Sequence, residues 1–327
     1  MVTGGAGFIG SHLVDRLTTR GDTVIVLDNL STGRLSNLAA QRDSPDVRVV
    51  EGSILDELVI EELVSSCDRV FHLAAAVGVG NIVGDPLGSL IVNSRGTENV
   101  LAACARHRRK ILIASSSEVY GKTDRVPMRE DDDRILGSTT VHRWSYATAK
   151  ALDEHLALAY ARQGLRTVIV RYFNIYGPRM DPLGYGSVMA NFLRQAMAGE
   201  AVTVYGDGLQ RRCLTYVDDC IDGTVMAMET GSAEAQVFNI GDSKSETTIL
   251  DLARLVIEVT GSASEISHVS YERRFGPGFE DTRRRVPDTD RARERLGWTS
   301  QVGLGEGLRQ TLASLTCKRP DDVGGGQ

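Results

Sequence analysis

The stretch Thr3-Gly4-Gly5-Ala6-Gly7-Phe8-Ile9-Gly10 constrains the fold more than any other. Gly4, Gly7 and Gly10 stand at G-x-x-G-x-x-G spacing and lead into Ser11-His12-Leu13-Val14-Asp15-Arg16-Leu17, an amphipathic helical pattern. A glycine lets a phosphate approach the backbone where a Cβ would block it, and it takes the φ/ψ values a tight turn needs. The helix that follows aims its free N–H groups and positive dipole end at a pyrophosphate. An apolar run, Thr23-Val24-Ile25-Val26-Leu27, comes next and ends in Asp28. A carboxylate at that distance from the glycines accepts hydrogen bonds from adenosine ribose hydroxyls and repels a 2′-phosphate, which favours NAD over NADP. Glycines at this spacing also occur in ordinary turns; the strand and carboxylate that follow turn the pattern into a dinucleotide signature.

A chain of 327 residues holds one large core or two modest ones. Its 37 basic and 43 acidic residues give a net charge of −6, which predicts no nucleic-acid or anionic-membrane partner. No apolar run reaches the roughly 18 residues of a membrane span, and no signal peptide precedes the glycine loop, so a cytoplasmic protein is expected. Five cysteines, Cys67, Cys104, Cys213, Cys220 and Cys317, are scattered without metal spacing and read as reduced thiols. The six histidines are scattered too, so no metal site is expected. Only Met1-Val2-Thr3 precede the glycines, where a strand usually takes about five residues. Either the central strand is short or residues before Met1 are missing; both readings stay open.

Strand and helix patterns alternate through the first half, which predicts a doubly wound parallel α/β sheet with helices on both faces. Val47-Arg48-Val49-Val50-Glu51-Gly52 reads as a strand, Leu55 to Ser66 as a helix, and Val70-Phe71-His72-Leu73-Ala74-Ala75-Ala76 as a buried strand running into small residues. Those small residues suit either close approach of a cofactor or tight helix packing. Pro86 to Arg108 reads as a long helix with Asn93 in its middle, a polar group that needs a partner. Lys110 to Ala114 is the next strand, and Ser115-Ser116-Ser117-Glu118 leaves it where ligands gather in such sheets, although serines there also cap helices. Tyr146 and Lys150, at i and i+4, share one face of a helix running to about Gln163. Arg166 to Asn174 is a further core strand. Helix signals at 187–199 and 249–260, with short strands near Val202–Tyr205 and Val237–Ile240, mark a smaller α/β lobe. The boundaries assigned are 1–174 for a dinucleotide-binding domain, with a return of the chain over roughly 213–241. Residues 175–212 and 242–317 form a substrate lobe, and 318–327 a mobile tail.

The chain resembles the extended short-chain dehydrogenase/reductases that modify nucleotide sugars, the epimerase, dehydratase and decarboxylase group. The resemblance covers essentially the whole chain. It is carried by Thr-Gly-Gly-Ala-Gly-Phe-Ile-Gly, Asp28, His72-Leu73-Ala74-Ala75, the trio Ser116, Tyr146 and Lys150, Arg171-Tyr172-Phe173-Asn174, and Tyr216-Val217-Asp218-Asp219. Several stretches look closest to UDP-glucuronate decarboxylases and UDP-apiose/xylose synthases: Ser117-Glu118-Val119-Tyr120-Gly121, Arg143-Trp144-Ser145-Tyr146, Gly177-Pro178-Arg179-Met180-Asp181, and Phe279 to Asp288. The resemblance implies a Rossmann-type fold with NAD contacts from Gly4, Gly7, Phe8, Ile9, Gly10, Asp28, Asn29, Ser53, Ile54, Leu73, Ala74, Ala75, Asn93, Tyr146, Lys150 and Tyr172. It implies a UDP-sugar held by Ser117, Asn174, Arg212 and Arg285, and a homodimer built on the helices at Pro86–Arg108 and Tyr146–Gln163. Two departures stand out. Ser53 lies where the family commonly has an adenine-contacting Asp, and Cys213 follows Arg212 where Asp is common.

The shared chemistry begins with oxidation at the sugar's C4. Tyr146, as phenolate, takes the hydroxyl proton while hydride passes to the nicotinamide; Lys150 and the cationic ring favour the phenolate, and Ser116 aligns the hydroxyl. A free tyrosine has a pKa of about 10 and needs that help. The next step divides three outcomes. A C6 carboxylate beside a 4-ketone is lost as CO₂, a rotated ketone is re-reduced as the 4-epimer, and Glu118 drawing the C5 proton starts 4,6-dehydration. Decarboxylation of UDP-glucuronate is the first expectation, with UDP-hexose or UDP-glucuronate 4-epimerisation and NDP-hexose 4,6-dehydration as alternatives. A non-catalytic NAD-sensing scaffold is the reading from another class; such scaffolds typically lack the Tyr-x-x-x-Lys pair kept here.

Overall fold

A computed structural model describes residues 1–78, 84–181, 187–275 and 280–316. Phe279, Cys317 and the tail expected at 318–327 lie outside the described residues.

Seven strands form one parallel sheet. In chain order six of them are β1 (Val2–Thr3), β2 (Val24–Asp28), β3 (Val47–Glu51), β4 (Arg69–His72), β5 (Lys110–Ser116) and β6 (Thr167–Tyr172). The order across the sheet is Gln236–Ile240, β6, β5, β4, β1, β2, β3. β1 is only two residues long, yet it pairs on both sides, Val2 facing Val26 of β2 and Phe71 of β4. The strand order reverses between β1 and β4, so the carboxyl ends of those strands open the crevice where such sheets bind ligands.

Successive residues of the central strands alternate between two apolar cores. Val70, Ile111, Ile113 and Ile169 pack on one face with Ile60, Leu63, Val100, Leu101 and Ala157. Phe71, Leu112, Val168 and Val170 pack on the other with Leu13, Leu17 and Val225. Burial on both faces explains why these strands read as continuous apolar runs. The first face carries α2 (Glu57–Ser65), α3 (Pro86–His107) and α4 (Ser145–Arg162); the second carries α1 (Phe8–Thr19) and the helix Val217–Glu229. α3 starts where Asp85 accepts from Gly88 N at 2.9 Å with Pro86 in the first turn, a pairing that satisfies free donors and presets φ. No helix among the described residues is long and apolar enough to cross a membrane.

The strand Gln236–Ile240 pairs in parallel with β6 and lies at the edge of the main sheet, not in the smaller lobe. That lobe holds helices Val188–Met197 and Ile249–Thr260 and the parallel pair Val202–Tyr205 with Ile266–Val269. In a further three-stranded sheet, Arg211–Cys213 runs between Glu246–Thr248 and Arg284–Arg285. This small sheet delivers Arg285 to the crevice.

Candidate active site

A cleft of about 980 Å³ opens at the carboxyl ends of β1, β4 and β5. At one end stand the glycines. Gly4 has φ +69°, and a Cβ there would lie 2.8 Å from Ala74 N. A Cβ on Gly10 would overlap the carbonyl oxygen of Gly4. The loop therefore folds on itself only with hydrogen at both positions. Gly7, extended at φ −74°, precedes α1 without a capping side chain, and the first turn holds no carboxylate. No side chain caps the first N–H groups of α1, and Phe8, Ile9 and Gly10 line the cleft, which is the arrangement an anion needs. Asp28 is fixed by two backbone donors, Ala6 N to Oδ2 and Leu30 N to Oδ1, both at 2.9 Å. Each oxygen keeps lone pairs toward the cleft, which Asp28 lines together with Phe8, Ile9, Asn29, Ser53, Ile54, Leu73, Ala74 and Ala75. A cradle closed to any Cβ, a free helix N-terminus and a braced carboxylate fit a dinucleotide.

Asn93 is placed differently from the expectation. It is buried outside the cleft lining, and its amide is spent on one residue: Oδ1 accepts from Ala76 N at 2.7 Å and Nδ2 donates to Ala76 O at 3.0 Å. It clamps the loop after β4 and holds Ala76, which lines the cleft. Tyr172 does line the cleft, with its hydroxyl bonded to Thr224 Oγ1 at 2.8 Å.

At the other end β5 delivers Ser116, Ser117 and Glu118, and α4 delivers Tyr146 and Lys150; all five line the cleft. Ser116 accepts from Glu118 N at 3.2 Å and lies beside the Tyr146 phenol. Burial raises the Tyr146 pKa well above its ordinary value, the charges of Glu118 and Asp153 raise it further, and Ser116 draws it back. Lys150, expected to acidify this phenol, pairs its ammonium with Asp153 at 3.2 Å. The protein alone thus keeps Tyr146 neutral. A positive charge brought in by a ligand would favour the phenolate.

Glu118 is gripped by two arginines. Arg143 reaches it at 2.7 Å and Arg285 at 2.9 Å. Burial pushes the Glu118 carboxyl up, but Arg285 and Arg143 together hold it far below the usual carboxylate range. A carboxylate held that firmly is a poor acceptor for a C5 proton. The trio of two arginines and one glutamate leaves one net positive charge on the cleft wall. Arg143 carried no expected role; a lone arginine before a helix gives no sign that it will meet a glutamate 25 residues earlier.

Asn174 lines the cleft and donates Nδ2 to Cys213 O at 3.0 Å. Arg212, expected at the substrate pyrophosphate, lies outside the cleft lining. Its Nη2 bonds Asp281 at 2.9 Å and its Nη1 donates to Arg211 O at 2.9 Å. Arg179, also on the cleft wall, pairs with Asp15.

The model of the NAD dependent epimerase/dehydratase family matches residues 1–241. The chain is 41% identical over 312 residues to UDP-N-acetyl-alpha-D-glucosaminuronate decarboxylase of Bacillus cytotoxicus, covering 95% of this chain and 96% of the relative. It is 36% identical over 313 residues to UDP-glucuronic acid decarboxylase 1 of Xenopus tropicalis, covering 95% of this chain and 70% of that protein. Among solved structures it is similar to UDP-glucose 4-epimerase of Thermotoga maritima with UDP-glucose, at a TM-score of 0.87 and 36% identity, covering 96% of this chain and 97% of that one.

Proposed function

The chain belongs to the NAD dependent epimerase/dehydratase family, and from that premise we propose that it is a lyase that removes CO₂ from a UDP-linked uronic acid, UDP-glucuronate first among them. One observation carries the reading: Arg143 and Arg285 converge on the cleft wall with a single carboxylate, Glu118, between them. The surplus positive charge suits a sugar that bears a carboxylate, and guanidinium forks suit that group's geometry. Similarity to two decarboxylases of UDP-linked uronates along nearly the whole chain supports it.

Bound NAD would supply the acceptor and later the donor of the C4 hydride. Gly4, Gly7 and Gly10 would hold its pyrophosphate, Asp28 its adenosine ribose, and Ala74 and Ala75 would allow close approach. Tyr146 Oη takes the proton of the C4 hydroxyl and returns one at the end. Ser116 Oγ holds that hydroxyl in line with Tyr146. A 4-ketone β to the C6 carboxylate loses CO₂ without a base, which agrees with a Glu118 locked in ion pairs, and the enolate left behind would take a proton at C5 from solvent water before the C4 carbonyl is reduced. Ser117, Asn174 and Arg285 would position the UDP-sugar; Arg212 would support the site from behind through Asp281.

Incubating the purified protein with UDP-glucuronate and measuring CO₂ and the UDP-pentose tests the reading. The same assay on UDP-N-acetylglucosaminuronate tells which uronate is preferred. The similarity to a 4-epimerase favours one rival, interconversion at C4 without loss of mass; an epimer with no CO₂ would establish it.

Dimerisation is supported by apolar side chains left outward on the two long helices: Leu87 (69% exposed) and Ile91 on α3, and Leu152 (45%) on α4. A monomer mass by light scattering would refute it. The free thiols of Cys67, Cys104, Cys213 and Cys220 support a reducing, cytoplasmic compartment.

A further inference from the structure

Asp153 sits on α4, one turn past Lys150 and two past Tyr146, and none of its surface is exposed. Its Oδ2 accepts from Lys150 Nζ at 3.2 Å, and Oδ1 has no hydrogen-bond partner among the described residues. A carboxylate charge in such an interior must be compensated nearby. The facing groups leave one candidate. Thr97 of α3 lies against the carboxylate, but its 2.6 Å bond to Asn93 O takes its hydroxyl hydrogen. Beyond Thr97, at 3.1 Å, is His72 of β4, kept neutral because burial and the charge of Lys150 lower its pKa to about 3. Glu154, the next residue of α4, is fully engaged by Arg171 at 2.7 and 2.8 Å and by Ser115 at 2.5 Å. Tyr146 is uncharged. Among the described residues, Lys150 is the only cation that meets Asp153.

We propose that Asp153 is a positioning residue that offsets the charge of Lys150 while the cleft holds no cofactor, and thereby adds to the burial that keeps Tyr146 protonated until a cationic nicotinamide arrives. The inference rests on Tyr146 being the base, as read above. An ammonium alone beside a phenol lowers its pKa; an ammonium with a carboxylate at 3.2 Å presents a dipole, whose field at the phenol is much weaker. Asp153 also acts on the phenol directly, since its charge is among those raising the Tyr146 pKa. The cost of burying this carboxylate lifts its own pKa to about 6. The base is therefore armed by the cofactor and not by Lys150 alone, so a sugar entering an empty cleft meets a neutral phenol.

The test reads the phenol itself. Protein labelled with 3-fluorotyrosine is titrated by ¹⁹F NMR, with the Tyr146 resonance identified by its loss in Tyr146→Phe. In cofactor-free protein, Asp153→Asn is expected to lower the titration midpoint by about one pH unit or more, a tenfold rise in phenolate at a given pH. Adding NAD is expected to lower the wild-type midpoint more than that of the variant. Asp153→Ala repeats the measurement should the amide not be accommodated, with circular dichroism and NAD binding reporting the fold. A midpoint unchanged in whichever variant folds overturns the proposal. In turnover, where NAD is bound, the acid limb of the CO₂-release profile should move to lower pH by the smaller difference that remains between the NAD-bound proteins; lower activity with an unmoved limb would mean a structural role and overturn it too. A wild type that releases no CO₂ from either uronate while its phenol midpoint responds to Asp153→Asn refutes the substrate reading and leaves this inference standing.

Discussion

Arg285 Nη1 lies 2.9 Å from Glu118 Oε1, although 167 residues separate them in the chain. Glu118 leaves the end of β5, and Arg285 arrives on a two-residue strand of the small sheet. The pair therefore ties the sheet that carries the glycine loop to the lobe that closes the cleft. Arg143 completes it from the entry to α4.

Removing Arg285 separates binding of the sugar from binding of the cofactor. Arg285→Ala should lower kcat/KM for UDP-glucuronate tenfold to a hundredfold, about 1.5–3 kcal/mol for one charge-assisted contact. NAD affinity should change less than twofold, because Arg285 stands at the opposite end of the cleft from Gly4, Gly10 and Asp28. Steady-state kinetics with calorimetric NAD titration checks both. Equal losses in the two would place Arg285 in the general architecture and not at the sugar.

Tyr146→Phe keeps the ring, its packing and the aromatic volume, and removes only Oη. Turnover should fall by roughly 10²–10⁴, the range for a positioned acid–base group. NAD binding should persist and no NADH absorbance should accumulate on adding a UDP-uronate. Turnover near wild type would remove Tyr146 from the mechanism.

Gly10→Ala puts a methyl into the carbonyl oxygen of Gly4, so the loop must open or α1 must shift. The turn that carries Gly7 and the free donors of α1 would be displaced, and NAD binding should weaken by about a hundredfold or more, with a drop in melting temperature. Gly21→Ala is a useful contrast. Its φ is +86°, so it carries backbone strain, yet a Cβ there meets nothing within 4 Å, and it lies on the turn after α1. That variant should lose some stability and keep its NAD affinity.

What could be read from the chain divides by the range of the interaction. The glycine loop, Asp28, the strand exit at Ser116 and the Tyr146–Lys150 face are local patterns, and local geometry decides them. Asn93 was legible as a buried amide in need of a partner, but an amide can serve a ligand or a backbone, and only the position of Ala76 decides which. Arg212 and Arg285 read alike in sequence. Their paired strands in the small sheet send one to Asp281 and the other to Glu118. Nothing in the sequence marks Lys150 and Asp153, at i and i+3, as more than a helix pair; burial against α3 makes them a charge pair inside the fold. The two-residue β1 is too short for any period to register, and pairing with β2 and β4 holds it in place.

His72 gives the fold a specific sensitivity to acid. Its ring is bonded on both sides, Nδ1 to Thr3 Oγ1 at 2.8 Å and Nε2 to Thr97 Oγ1 at 3.1 Å. Burial first, and Lys150 second, lower its pKa from 6.5 to about 3. In the unfolded chain the imidazole takes up a proton below about pH 6.5, while the folded protein refuses it until about pH 3. Between those values the unfolded state binds more protons, so stability rises with pH and is lost as pH falls. From pH 7 to 4.5 the loss from this one group is about 2–3 kcal/mol at 1.36 kcal/mol per unit. Asp153 titrates in both wild type and variant, so its contribution drops out of the difference between them. His72→Gln keeps a donor and an acceptor and cannot take the proton. Urea unfolding should show the variant less stable than wild type at pH 7, with the gap narrowing steadily toward pH 4.5. A gap that stays constant across that range would mean His72 is not the group through which acid acts.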